Sequence, residues 1–212
     1  FPPYPAGTYS DPACTTPWGA DGDADGDADV GVAFDADTDA DEPEDLGADT
    51  GTCADGWYDP STGLCWEDPP RGTMLLDWED AVAYCDRLAL GGHDGWRVPT
   101  ISELRSLVRG CAATETGGPC GVTDTCLEPG PEPGCSNDAC LLGCGTDDGP
   151  GAEGDYWPPE LGGALPNAYW SSSPCPGIGA PSAWSVWFVN ARVEPFALDR
   201  PFFNVRCVRP GP

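Results

Sequence analysis

Asp alternates with small or apolar residues from position 21 to position 41, which reads "DGDADGDADVGVAFDADTDAD", and Gly31 and Ala33 are the two exceptions on the Asp face. A period of two is the spacing at which the side chains of a β-strand return to the same face. The pattern therefore predicts an extended β arm with carboxylates on one face and small or apolar side chains on the other. The carboxylate face consists of Asp21, Asp23, Asp25, Asp27, Asp29, Asp35, Asp37, Asp39 and Asp41.

From about residue 55 the hydrophobic pattern becomes that of a folded domain. "WYDPSTGLCWE" predicts two short strands around a turn. "LDWEDAVAYCDRLAL" has apolar residues at helical spacing and predicts a helix that Gly91 and Gly92 end. "PTISELRSLVRG" predicts a second helix, ended by Gly110, with Thr100 and Glu103 as its capping box. "AYWSSS", "AWSVWFVNA", "RVEPFAL" and "FFNVRCVR" predict strands in the C-terminal part, and both faces of the second of these are expected to be at least partly covered.

Charge changes this picture mainly in the first third of the chain. The formal net charge is −27, and all nine basic residues are Arg, the first of them Arg71. Residues 1–70 carry eighteen acidic groups and no basic side chain. This distribution argues against nucleic acid and anionic membranes as partners and favours cations. No apolar run approaches the roughly 18 residues that a membrane span requires.

Cysteine is abundant and even in number, with twelve residues. Together with the many Gly and Pro, this indicates a secreted, extracellular protein with most cysteines in disulfides, and a start at Phe1 is typical of a product whose signal has been removed. We expect a bridge from Cys53 to Cys65 across the first hairpin. The sequence does not identify the disulfide partner of Cys14, and a bridge to another subunit is one option.

A Cys-rich stretch from 111 to 165 shows almost no periodicity. Such a segment buries too little apolar surface to hold itself together, so its six cysteines are expected to pair mostly among themselves. A zinc cluster is the rival interpretation for four of them, although their spacings of nine, five and four fit no ordinary pair of C-x2-C knuckles. These four are Cys126, Cys135, Cys140 and Cys144.

The ordered series "DPSTGLCWE", "DWEDAVAYCDRLALGGHDGWRVPTISELRSLV", "YWSSS", "AWSVWFV" and "VRCVR" resembles the Lcl C-terminal domain family over roughly residues 55–209. This family is common in secreted and surface proteins of bacteria. The resemblance implies an α+β, disulfide-rich, C-type-lectin-like domain with two helices on a small twisted antiparallel sheet. It also implies a bridge between a cysteine of the first helix, Cys85, and one of the last strand, Cys207.

These observations give three segments. Residues 1–20 are predicted to be an N-terminal assembly segment, whose prolines suit an edge strand donated to a neighbour. Residues 21–52 are predicted to form the Asp-rich β arm, a segment that requires bound cations as counter-charge. Residues 53–212 form the domain that resembles the Lcl C-terminal family, with a Cys-rich insertion at 111–165.

Candidate chemistry in the domain is sparse. His93 lies in "GGHDGW", which indicates a surface turn, and Arg97 is expected to tie a helix to the sheet through carboxylates or carbonyls. The serines at 171–173 lack the G-x-S-x-G context of a nucleophile and are expected to satisfy neighbouring backbone groups. The calcium-binding tripeptide of sugar-binding C-type lectins is not recognisable. We therefore expect no enzymatic activity, and the domain's ligand stays open.

Repulsion within the Asp row predicts what it binds. Same-face carboxylates about 7 Å apart repel each other by roughly 2–2.5 kcal/mol per adjacent pair at an effective dielectric near 20. All-oxygen ligands favour Ca²⁺, but an isolated EF-hand-like loop starting at Asp21 would have Val32 in place of the closing Glu. Oxygens on opposite sides of one Ca²⁺ lie about 4.8 Å apart, which is also the spacing of neighbouring strands. The row therefore predicts a ladder of Ca²⁺ between strands.

Taken together, the sequence predicts a secreted bacterial structural protein. It would be the subunit of a calcium-stabilised extracellular filament, a homopolymer assembled through residues 1–50 with the lectin-like domain exposed on its surface. The alternative is a monomeric adhesin module that binds glycans or a cell surface and stands on a calcium-stiffened acidic stalk.

Overall fold

The computed structural model describes residues 53, 56–70, 75–127, 135–163, 168–175, 180–200 and 203–212. Within this part the chain is α+β, with two small antiparallel sheets and three short helices. The predicted assembly segment at 1–20 and the acidic arm at 21–52, with all nine of its predicted calcium ligands, lie outside the described residues. Residues 51–212 form one compact unit.

The elements in chain order are β1 (Gly56–Asp59), β2 (Leu64–Glu67), α1 (Trp78–Asp86), α2 (Ile101–Arg105), α3 (Asp138–Leu142), β3 (Tyr169–Pro174), β4 (Ser182–Trp187), β5 (Arg192–Ala197) and β6 (Val208–Pro210).

The first sheet has the strand order β1-β2-β6, with both pairs antiparallel. The predicted hairpin around the D-P-S-T-G turn is confirmed. In the turn, the Asp59 carboxylate accepts hydrogen bonds from the Ser61 backbone N–H and the Thr62 hydroxyl, each at 2.9 Å. These hydrogen bonds satisfy polar groups of the turn that have no partner in a neighbouring strand, which explains why an Asp occupies the first position of the turn.

The second sheet has the order β3-β4-β5, again antiparallel. On the inner face of β4, Trp184 and Val186 are fully buried against the main core. On its other face, Ala183 and Ser185 are also buried. The expectation that both faces of this strand are covered is therefore confirmed, and only its last residue, Trp187, is half-buried.

Both predicted helices exist, but each is shorter than its hydrophobic pattern. Helix α1 begins after Asp77, whose carboxylate accepts a 2.9 Å hydrogen bond from the Asp80 N–H, and ends at Asp86 rather than near Gly91. Helix α2 has the predicted capping box but ends at Arg105 instead of continuing to Gly110. The apolar residues beyond Arg105 are nevertheless buried, so the pattern marked the core correctly and the helix length wrongly.

The Cys-rich insertion is held by three internal disulfides, which join Cys111 to Cys144, Cys120 to Cys140 and Cys126 to Cys135. The expectation that these six cysteines pair among themselves is thus met. The zinc interpretation of four of them is wrong, because all four sulfurs are in disulfide bonds. The short helix α3, which the sequence pattern did not predict, lies inside this insertion.

The buried guanidinium of Arg105 ties the insertion to α2. Its side chain is almost fully buried and donates to the carbonyl oxygens of Thr114 at 3.0 Å, Glu115 at 2.9 Å and Cys120 at 2.9 Å, and also to that of Val122. Four backbone acceptors that have no sheet or helix partner are satisfied by one side chain. The insertion is therefore shaped by hydrogen bonds and disulfides more than by a core of its own.

Two further disulfides fasten the ends of the domain. Cys85 of α1 is bonded to Cys207, immediately before β6, and Cys53 is bonded to Cys65 of β2. These are the two pairs that the resemblance and the hairpin, respectively, led us to expect. Among the described residues no helix is both long and apolar enough to cross a membrane.

Candidate functional site

The residues that the sequence singled out do not come together. His93 is exposed in a tight turn, where its backbone exchanges hydrogen bonds of 3.1 and 3.2 Å with Leu90. The serines of β3 serve the backbone as expected, since Ser171 donates to the Trp184 carbonyl at 2.7 Å and Ser172 to the Pro99 carbonyl at 3.2 Å. Their roles are structural in this fold.

Arg97 forms a two-pronged ion pair with Glu103, with nitrogen–oxygen distances of 2.6 and 2.7 Å. Because Glu103 also accepts from the Thr100 N–H at 2.8 Å, one carboxylate joins the capping box of α2 to the segment beside β6. Burial by itself would raise the pKa of Glu103, but the hydrogen bonds from Arg97 and Thr100 outweigh it and hold the pKa below its usual value. Arg97 therefore ties helix to sheet, as predicted.

The nine Asp predicted to bind Ca²⁺ all belong to the acidic arm, outside the described residues. In the part of the chain that the structure describes, no group of three or more His, Cys, Asp or Glu side chains is arranged to hold a metal ion.

The described residues line at least two open clefts on the domain surface. One, of about 380 Å³, is lined by Asp77, Glu79 and Asp199 together with apolar residues at the end of β5. The other, of about 360 Å³, lies beside Arg109, Glu115 and the first turn. The Glu115 carboxylate in the second cleft already accepts a 2.7 Å hydrogen bond from the Gly110 N–H. Neither cleft contains a combination of groups with an evident reaction.

The most distinctive surface combines an aromatic pair with an ion pair on one side of β4 and β5. In the register of these strands, Trp187 lies opposite Arg192, and Phe196 lies opposite Ala183. Residues directly opposite in an antiparallel pair share a face, so Trp187, Arg192, Glu194 and Phe196 form what we call the β4–β5 face. Each of the four is half-buried, whereas Ala183 and Ser185, which share this face on β4, are fully buried. On the opposite face of β5, Val193 is fully buried and Pro195 is half-buried.

The ion pair on this face is fixed in position by the backbone. The Arg192 Nη2 lies 3.3 Å from a Glu194 carboxylate oxygen, and its Nε donates at 2.6 Å to the carbonyl of Leu141 in α3. Burial raises the pKa of Glu194, and the nearby guanidinium opposes this shift. The two side chains therefore offer a donor and an acceptor whose charges largely cancel.

The indole of Trp187 leans along the same face. Its ring centroid is 6.2 Å from that of Phe196 and 5.7 Å from that of Phe203, although Phe196 pairs with Ala183, four residues away on β4. Its Nε1 is enclosed and has no hydrogen-bond acceptor. The sequence analysis missed this face, because the alternation of "AWSVWFV" and "RVEPFAL" indicates the sides of each strand but not the register that joins them.

Most of the Trp residues in the described part are core residues. Of the eight Trp in it, five are fully or almost fully buried, and three are half-buried, namely Trp57, Trp78 and Trp187. Trp78 donates its indole N–H to the Ser171 carbonyl at 2.9 Å. Trp57 lies on the other sheet.

Comparison with known proteins confirms the family that the motifs indicated. The sequence model of the Lcl C-terminal domain matches residues 56–209, which is well over half of the chain. No curated protein matches the chain, and no solved structure matches it.

Proposed function

The chain belongs to the Lcl C-terminal domain family, and we propose that it is a secreted structural protein, the subunit of a calcium-stabilised extracellular filament. The observation that carries this proposal is the row of nine Asp at alternate positions between 21 and 41. A flexible acidic linker requires charge but no period. A period of two is what a strand with one ligand face requires.

Counter-charge for this row has to come from outside its own segment. Residues 1–70 contain eighteen acidic side chains and no basic one. Adjacent carboxylates on one strand face repel by roughly 2–2.5 kcal/mol at an effective dielectric near 20. Ca²⁺ between Asp rows of neighbouring strands would replace this repulsion by ligation, since oxygens across one ion and strands in one sheet share a spacing of about 4.8 Å.

Assembly is limited by the size of the domain. A compact unit of this length is tens of ångströms across, so domains cannot repeat every 4.8 Å along one line. Each chain would therefore contribute several strands or turns to a central stem, or its domains would be rotated around that stem. We place the acidic arm inside this filament and the Lcl C-terminal domain outside.

The domain suits an exposed position outside the cell. The five disulfides among its described residues support an oxidising, extracellular setting. We further propose that its fold is C-type-lectin-like. Two features support this assignment: helices packed on small twisted antiparallel sheets, and a disulfide from the first helix to the residue before the last strand.

The filament proposal is tested by removing calcium from the full-length protein. In millimolar Ca²⁺ we expect fibres by electron microscopy and large species by light scattering, and excess chelator should dissociate them. Changing Asp23, Asp27 and Asp37 to Asn should weaken assembly and calcium binding together, because side-chain size is kept while charge is lost. The matched control changes Asp45 and Asp49, which lie off the row, to Asn and should leave assembly unchanged.

A different outcome would contradict the calcium ladder. If fibres persist in chelator, or if the Asn changes on the row and off it have the same small effect, the Asp row is not a ligand face. Ala28→Leu gives a further check, since it adds bulk to the opposite face without removing a ligand. It should disturb assembly while leaving the amount of bound calcium per monomer unchanged.

The second candidate function is an adhesin module that binds glycans on an acidic, calcium-stiffened stalk. The β4–β5 face favours it, because a half-buried indole lies beside a paired donor and acceptor. In this case the full chain should bind saccharides and stay monomeric with and without Ca²⁺. Absence of saccharide binding in both conditions would remove this candidate.

A further inference from the structure

We infer that Cys14 and Cys175 of one chain form a disulfide, which attaches the N-terminal segment covalently to the Lcl C-terminal domain. The inference goes beyond the proposed filament and does not rest on it, because it concerns the oxidation of a single chain and involves neither Ca²⁺ nor a second subunit. It assigns partners to the two cysteines that the five described bridges do not include.

The first argument is the pairing of the other cysteines. The chain has twelve cysteines, and ten of them form the five bridges among the described residues. Cys14 and Cys175 are the other two. Every other cysteine of the domain is already bonded, so a disulfide of Cys175 within its own chain has Cys14 as its one possible partner. Complete pairing of an even number of cysteines is what an oxidising compartment favours.

The second argument concerns which chain supplies the Cys14 thiol. Cys175 directly follows β3, its backbone N–H donates to the Ser182 carbonyl at 2.8 Å, and its side chain is fully buried in the main core. A sulfur in this position is accessible to a partner only before the core closes around it, so the bond forms while the chain folds. At that stage the Cys14 thiol of the same chain is held at a high effective concentration, whereas other subunits are dilute.

The third argument is the length of the connecting chain. Cys14 precedes Cys53, which is bonded to β2, by 39 positions. A fully extended chain of this length spans about 130 Å, and a flexible one has a root-mean-square span of about 34 Å. A compact unit the size of residues 51–212 has a radius of gyration of about 15 Å. The connection is therefore long enough to bring Cys14 to the end of β3 in the same chain.

The reaction is thiol–disulfide exchange with a disulfide oxidoreductase of the oxidising compartment. The two thiols give up two protons and two electrons, a bond forms between their Sγ atoms, and the disulfide of the oxidoreductase is reduced to two thiols. The product closes a loop that contains the whole Asp row between 21 and 41. Both ends of the acidic arm are then fixed to the domain, one through Cys14 and the other through the chain itself.

Tryptic mapping of the oxidised full-length chain, alkylated in denaturant without reductant, tests the inference. The chain has no Lys, so trypsin cleaves only after Arg. Cleavage releases residues 1–71, which hold Cys14 and the first bridge, and residues 110–192, which hold Cys175 and the three bridges of the insertion. The other cysteines of each fragment are bonded within that fragment. A disulfide between the two fragments therefore reports the bond from Cys14 to Cys175, and we expect mass spectrometry to find it.

Cys14→Ser and Cys175→Ser should each separate these two fragments. The link between residues 72–87 and 207–212, which carries the bridge from α1 to the segment before β6, should persist in both variants and serves as the matched control. Thiol titration in denaturant should find one thiol per chain in each variant and none in the unchanged chain. If Cys175→Ser fails to fold, because its position is in the core, Cys14→Ser decides the question by itself.

Two results would overturn the inference, and they are distinguishable from each other. If the two fragments of the unchanged chain separate without reductant and both Cys14 and Cys175 are alkylated, the bond does not exist. If the linked fragments come only from dimers or larger species on a non-reducing gel, the Cys14 thiol belongs to a neighbouring chain. A linked pair from the monomer band is the expected result. None of these outcomes decides whether the Asp row binds Ca²⁺.

Discussion

The disulfide between Cys85 and Cys207 is expected to stabilise the domain more than the one between Cys53 and Cys65. The two bridges lie next to each other, because Cys65 belongs to β2, which pairs with β6 just after Cys207. All four cysteines are buried, so their replacement by Ala removes similar atoms from similar surroundings. What differs is the length of chain that each bridge closes.

The chain-entropy relation turns these lengths into free energies. A separation of 122 residues corresponds to about 4.9 kcal/mol at 25 °C. The bridge from Cys111 to Cys144 short-circuits 33 residues within this loop, which lowers the figure to about 4.6 kcal/mol. For Cys53 and Cys65 the separation of 12 gives about 2.8 kcal/mol. The expected difference is therefore roughly 2 kcal/mol.

Equilibrium unfolding in guanidinium chloride, followed by Trp fluorescence, measures this difference. The full-length chain is compared with the double variants Cys85→Ala/Cys207→Ala and Cys53→Ala/Cys65→Ala, all without reductant so that the other bridges persist. The free energy of unfolding should fall by about 4–5 kcal/mol for the first and about 3 kcal/mol for the second. Equal losses, or a larger loss for the short loop, would refute the loop-length reasoning.

Three further predictions concern other parts of the chain. The pKa of Glu103 lies below its ordinary value of 4.5, so its ion pair with Arg97 should contribute up to about 1 kcal/mol to the free energy of unfolding above pH 4.5. This contribution should be lost as the pH falls through the lowered pKa, and Glu103→Gln should flatten that part of a plot of stability against pH. Arg105→Met should lower the free energy of unfolding by about 3–5 kcal/mol, because four carbonyls lose the hydrogen bond that Arg105 donates. Thiol titration of the denatured chain should find at most two reactive thiols per chain, because ten of the twelve cysteines are in disulfides; a covalent dimer on a non-reducing gel would indicate that Cys14 bridges two subunits.

Much of the domain was predictable where local signals and packing agree. The first hairpin combines a strand pattern with Asp59 at the start of its turn, and α2 begins at the capping box of Thr100 and Glu103. In both cases the residues that fix the backbone lie within a few positions of each other. The hydrophobic pattern also marked buried residues correctly beyond the end of α2, since burial depends on tertiary packing and not on helical geometry.

The remainder depends on contacts that are distant in sequence. Six cysteines allow fifteen pairings, and nothing in their spacing selects the three that occur. Helix α3 is only five residues long and is bracketed by disulfides, so no periodic signal announces it. The β4–β5 face arises from a strand register, and its Arg192 is fixed by a carbonyl from α3, about fifty residues earlier.

The last prediction follows from the two chemistries that the chain combines: carboxylates in its acidic arm and disulfides in its domain. A chelator acts on the first and a reductant on the second, so the two reagents should have separable effects on the full-length protein. Chelator alone should dissociate fibres and leave the near-ultraviolet circular dichroism of the buried Trp residues unchanged. Reductant should collapse that signal, because the insertion between 111 and 144 depends on three bridges and on Arg105 more than on a core of its own. Loss of the Trp signal in chelator with every disulfide intact would contradict this division, since it would mean that the domain itself requires a cation.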